Sequence, residues 1–83
     1  MGTLAPSQLR YYLAEVGAEV ERAVVLYPGF QSEHEGYAVI LEELDELWTE
    51  IKERRGRGIG ARKEALQVAA MAVRYLLDLE AEP

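Results

Sequence analysis

Helical periodicity, broken twice by glycine, limits this chain more than any other feature. Apolar residues recur at three- and four-residue spacing in three stretches, separated by Tyr27-Pro28-Gly29-Phe30-Gln31 and Gly56-Arg57-Gly58-Ile59-Gly60. That spacing places side chains on one face of a helix, whereas the period-two alternation of a strand is nowhere sustained. The expected fold is all-α, a single domain over residues 1–83 built as a three-helix protomer. Helices two and three, joined by the short glycine loop, should form an antiparallel pair.

The first stretch runs from about Ser7 to Leu26, with Leu9, Tyr12, Leu13, Val16, Val20 and Val24 in register. Pro6 and Ser7 suit a helix start. The second has the clearest start: Ser32-Glu33-His34-Glu35 fits a capping box, with Ser at the N-cap and Glu three residues on. From there to about Arg54 or Arg55, Tyr37, Ile40, Leu41, Leu44, Leu47, Trp48 and Ile51 fall in a stripe roughly 120° wide, which reads as the core face. The third runs from about Ala61 to Leu79. Ala65, Leu66, Ala69, Ala72, Val73 and Leu76 form its expected inner face, while Met71, Arg74 and Asp78 fall on its polar strip. More than half of its circumference is apolar, so it should be buried on two sides. A homo-oligomeric helical bundle, dimer or tetramer, with helix three near the interface, is the expected assembly.

The chain has 83 residues, no Cys, one His and a net charge of −6. Disulfides and thiolate zinc sites are excluded, and any metal would be held by oxygen, which selects a hard cation such as Mg²⁺ or Mn²⁺. A catalytic triad could rest only on His34, which no nucleophile motif surrounds; a single His in a first helical turn reads as a surface residue. The acidic balance argues against duplex DNA as a partner. With no long apolar run and no signal-peptide pattern at the N-terminus, a cytoplasmic protein that does not engage membranes is expected.

Glu42, Glu43, Asp45, Glu46, Glu50 and Glu53 crowd about three turns of helix two. Glu43 and Glu46, three apart, share a flank beside the apolar stripe. Glu64 takes the matching rim of helix three. If the helices pair, these acids converge on one cation; otherwise they are a solvated face and an N-terminal helix acid favoured by the macrodipole. Six of the nine basic residues lie between Lys52 and Lys63. Arg54, Arg55, Arg57, Arg62 and Lys63 suit phosphate oxygens. They equally suit helix capping and a solvated turn, or a patch for an acidic surface.

The run HEGYAVILEELDELWTEIK, a basic glycine loop and EALQVAAMAVRYLLDL resemble the MazG-like all-alpha nucleotide pyrophosphohydrolases over about residues 33–79. Members of that superfamily carry Glu-x-x-Glu on one helix and Glu-x-x-Asp on the next. Glu43-Leu44-Asp45-Glu46 matches the first half; Glu64-Ala65-Leu66-Gln67 matches the second except that Gln67 stands where Asp is usual. The resemblance implies Mg²⁺- or Mn²⁺-dependent cleavage of a nucleoside triphosphate to the monophosphate and pyrophosphate, with Glu43, Glu46 and Glu64 as ligands. Gln67 would offer a neutral amide oxygen, which makes for a weakly bound cation. The alternative is a non-catalytic oligomer that keeps the scaffold without the metal site and binds a nucleotide or a protein.

Overall fold

The structure, a computed structural model, describes residues 6–53 and 58–79. It is all-α: α1 spans Pro6–Leu26, α2 Glu33–Glu53 and α3 Ile59–Asp78. Pro6 opens α1, where its missing N–H removes no helical bond. The Ser half of the α2 capping box forms, with the Glu35 amide donating to Ser32 Oγ at 3.1 Å, while the Glu35 carboxylate reaches one residue past the N-cap and accepts from the Gln31 amide at 3.3 Å. α3 begins two residues earlier than its apolar spacing indicates. Gly58 precedes it at φ 86°, a left-handed conformation that favours glycine.

α3 is the central element: α1 and α2 both pack on it, and among the described residues they do not pack on each other. α2 and α3 are antiparallel, since Gly36 meets Tyr75 near one end of the pair and Gly60 meets Glu50 near the other. A Cβ at Gly36 would lie 2.5 Å from Tyr75 Cδ2, so the absence of a side chain sets how closely the helices approach. The core is small: Val20 and Ala23 of α1, Phe30 of the connection, and Ala70 and Met71 of α3, with Val16, Val39, Ile40, Tyr75 and Leu79 half-buried around it.

Two expected faces need correction. On α3 the residues turned inward are Ala70, Met71 and Arg74, whereas Ala65, Ala72, Val73 and Leu76 are exposed. Arg74, only 3 % exposed, is buried because its whole guanidinium is engaged. Nη1 donates to Ala23 O at 2.8 Å, Nη2 to Tyr27 O at 2.7 Å, and Nε to Asp78 Oδ2 at 2.9 Å. It thus adds a second donor to Ala23 O, which already accepts the Tyr27 amide, and supplies one to Tyr27 O, just past the end of α1, where the helix offers none. The same Asp78 oxygen accepts from the Phe30 amide at 2.9 Å, so one ion pair joins α1, the connection and α3. On α2 only Ile40 and Leu47 of the expected core stripe are half-buried; Tyr37, Leu41, Leu44, Trp48 and Ile51 lie open on the protomer.

Candidate metal centre

Helical geometry brings Glu43 and Glu46 to neighbouring positions on α2, and the antiparallel packing of α3 places Glu64 opposite them. One carboxylate oxygen from each lies within 4.8 Å of the others. Glu43 and Glu64 are half-buried and Glu46 is exposed, so the cluster sits at the edge of the helix pair with one side open to solvent. Glu64 Oε2 is buried and has no hydrogen-bond partner. Ionised carboxylates only accept hydrogen bonds, so the cluster lacks a donor until a proton or a cation enters it.

The electrostatics agree. Burial, reinforced by the neighbouring Glu64 and Glu46, pushes Glu43 up to about 7. Glu46 is raised as well, chiefly because it can share a proton with Glu64. Three acids at this spacing disfavour one another's charge, and a divalent cation is the species that relieves all three together. All the donors are hard oxygens, the chemistry that suits Mg²⁺ or Mn²⁺.

Gln67 lies one turn beyond Glu64 and is half-buried in the wall of a cavity of about 430 Å³ between α1 and α2. Glu43 borders the same cavity, as do Phe30, Val39 and Met71. Glu19 borders the cavity with Gln67, and its carboxyl is held below its ordinary range first by Arg22, then by Gln67 and by the charge of Lys63. Sequence reasoning did not find Glu19 or this cavity, since Phe30 falls in the glycine break and Glu19 reads as one more surface acid.

The basic residues divide. Arg54, Arg55 and Arg57 lie outside the described residues. Arg62 is turned to α1: its Nη2 donates to Tyr12 Oη at 2.6 Å, and its guanidinium lies 5.5 Å from the centre of the Tyr12 ring. Lys63 is exposed. His34 is an exposed residue of the first turn of α2. No protein-family model, curated protein or solved structure matches the chain. Among the described residues no helix is long and apolar enough to cross a membrane.

Proposed function

We propose that the protein is a homo-oligomeric nucleoside triphosphate pyrophosphohydrolase that depends on Mg²⁺ or Mn²⁺ and yields a nucleoside monophosphate and pyrophosphate. The observation that carries the reading is the convergence of Glu43, Glu46 and Glu64 from two helices, with the buried Glu64 Oε2 lacking any donor. A cation held there supplies Lewis acidity at a phosphoryl oxygen and offsets the charge of the triphosphate. The chain's own part is to hold and orient. Glu43, Glu46 and Glu64 fix the cation, Gln67 and Glu19 present a polar edge in the adjoining cavity, and Phe30, Val39 and Met71 give that cavity an apolar floor for a planar group. Lys63, in the second turn of α3, is assigned to phosphate, with Arg54, Arg55 and Arg57 from the preceding stretch of sequence, while the bond from Arg62 to Tyr12 competes with a phosphate role for that residue.

A second reading, the non-catalytic scaffold, is favoured by one observation: Gln67 lines the cavity with Glu19 and brings no fourth charge to the cluster. Pyrophosphate release across a panel of NTPs and dNTPs with Mg²⁺ or Mn²⁺ separates the two. Metal-dependent release that Glu46→Gln abolishes supports the enzyme. Absence of release from every nucleotide, with nucleotide binding retained, establishes the scaffold.

A further inference from the structure

We propose that the cavity between α1 and α2 is a nucleobase pocket and that Glu19 makes it select guanine, by accepting hydrogen bonds from the ring N1–H and the 2-amino group. The assignment rests on the reading of the acidic cluster given above and adds to it the base that the triphosphate carries. Glu19 stands on α1, in a part of the chain that the family resemblance does not reach.

At about 430 Å³ the cavity has the size of a small-ligand pocket. It follows α2 from Glu35 to Glu43, roughly 12 Å of helix at 1.5 Å per residue. Glu43 belongs both to it and to the acidic cluster. A molecule whose phosphates meet a cation at the cluster therefore has the cavity beside it for the rest of its length. The surroundings of the two differ in charge. Six of the nine basic residues fall between Lys52 and Lys63, where α2 ends and α3 begins, whereas Glu19, Glu35 and Glu42 join Glu43 around the cavity. Both arginines that border it are already engaged. Arg22 donates to Glu19 through two nitrogens, and Arg74 donates to Ala23 O, Tyr27 O and Asp78. Phosphate is thus drawn to the basic end. The cavity suits an uncharged group with apolar faces, which Phe30, Val39 and Met71 can contact, and hydrogen-bond donors along its edge.

Glu19 is the carboxylate placed to read that edge. Glu35 and Glu42 are exposed, and Glu43 is turned to the cluster, whereas Glu19 is half-buried and held in position. Arg22 Nε donates to its Oε2 at 3.1 Å and Arg22 Nη2 to its Oε1. The same pairing keeps the group ionised at neutral pH. A carboxylate has about four lone-pair positions, so each oxygen retains one for a further donor. Two oxygens side by side are matched by two parallel N–H groups, the arrangement that makes forked pairs strong and specific. Among the common bases only guanine presents such a pair, N1–H next to the 2-amino group. Adenine and cytosine set a single amino group beside a ring nitrogen lone pair. Uracil and thymine flank one N–H with two carbonyl oxygens, which a carboxylate repels. Gln67 borders the same cavity, and its amide is a donor of the kind that guanine O6 requires.

Calorimetric titration with GMP, IMP, UMP and XMP in excess Mg²⁺ tests the proposal by binding alone. GMP should bind most tightly. IMP, which is GMP without the 2-amino group, should bind at least about tenfold more weakly, the effect of one lost hydrogen bond to a charged acceptor, and UMP more weakly still. In Glu19→Gln the side chain offers one donor and one acceptor, the complement of the xanthine edge, where a carbonyl oxygen replaces the amino group. XMP should then bind the variant more tightly than GMP does, reversing the order of the parent. GMP that binds the parent no better than IMP or UMP overturns the proposal. So does a variant that weakens all four nucleotides alike, which is the signature of a purely structural Glu19. If the variant fails to fold, the comparison of GMP with IMP on the parent decides the matter. Pyrophosphate release, measured separately, reports on the enzymatic reading. Guanine-selective binding without release upholds the pocket and ends that reading, while release without preference for guanine does the reverse.

Discussion

Arg74 Nη1 reaches across from α3 to donate to Ala23 O on α1 at 2.8 Å, and that oxygen also accepts the Tyr27 amide at 2.9 Å. The side chain is an interior cation whose partners are two backbone carbonyls and one carboxylate. Removing it takes the Arg74 donor from Tyr27 O and the ion pair from Asp78, while Ala23 O keeps the Tyr27 amide. Arg74→Met should therefore cost about 2–4 kcal/mol, read from the urea midpoint. Arg74→Lys keeps the charge but loses the planar fork, so an intermediate loss is expected.

Gly36 sits under the Tyr75 ring. Gly36→Ala trades a gain in helix propensity for a clash, and because a well-packed pair does not yield freely, a net loss of about 1–3 kcal/mol is expected. The double variant Gly36→Ala/Tyr75→Leu should recover part of it, as a thermal-melt mutant cycle would show.

Glu46→Gln should abolish stabilisation by Mn²⁺ in a thermal shift assay and leave the metal-free protein as stable as the parent or slightly more so. The exposed Glu46 contributes mainly repulsion to Glu43 and Glu64 when no cation is present. Undiminished Mn²⁺ stabilisation in the variant would place the cation elsewhere.

The pH dependence has a defined sign. Glu43 is raised to about 7 in the folded, metal-free protein, and Glu46 is shifted the same way, so the folded state holds protons that the unfolded chain releases near its ordinary carboxyl value. Stability should then fall as pH rises from about 4.5 to about 7 and level off above that. Glu19, shifted down, contributes stability that is lost only at more acid pH. In EDTA, melting temperatures at pH 5.5 should exceed those at pH 7.5, and Glu43→Gln should flatten the difference. With Mn²⁺ present the gain should be largest at pH 7.5, because protons and metal compete for the same oxygens.

Much of this organisation is legible in the sequence. The glycine breaks and the Ser32–Glu35 box mark the helices because they act locally. The i, i+3 spacing of Glu43 and Glu46 fixes their shared flank whatever surrounds them. The orientation of α3 is not legible in the same way, since a helix apolar over most of its circumference carries little angular information. Arg74 looks solvated until Ala23 O, Tyr27 O and Asp78 are placed beside it. Gln67 reads as a missing ligand, and only the packing of α1 reveals Glu19 as its neighbour. Trp48 and Leu44 read as core because periodicity marks an apolar face without saying whether the same chain covers it.

The position of α3 between two helices that, among the described residues, do not pack on each other also bears on the order in which the chain can mature. α1 and α2 leave the ribosome before α3, and neither finds its packing partner in the other. The Tyr27 carbonyl, just past the end of α1, waits for Arg74, which follows it by 47 residues. Lasting tertiary structure should thus arise only once the third helix has been synthesised, leaving the first two as a nascent pair with uncovered apolar faces. Chaperone contact and proteolytic sensitivity during synthesis should concentrate in that interval.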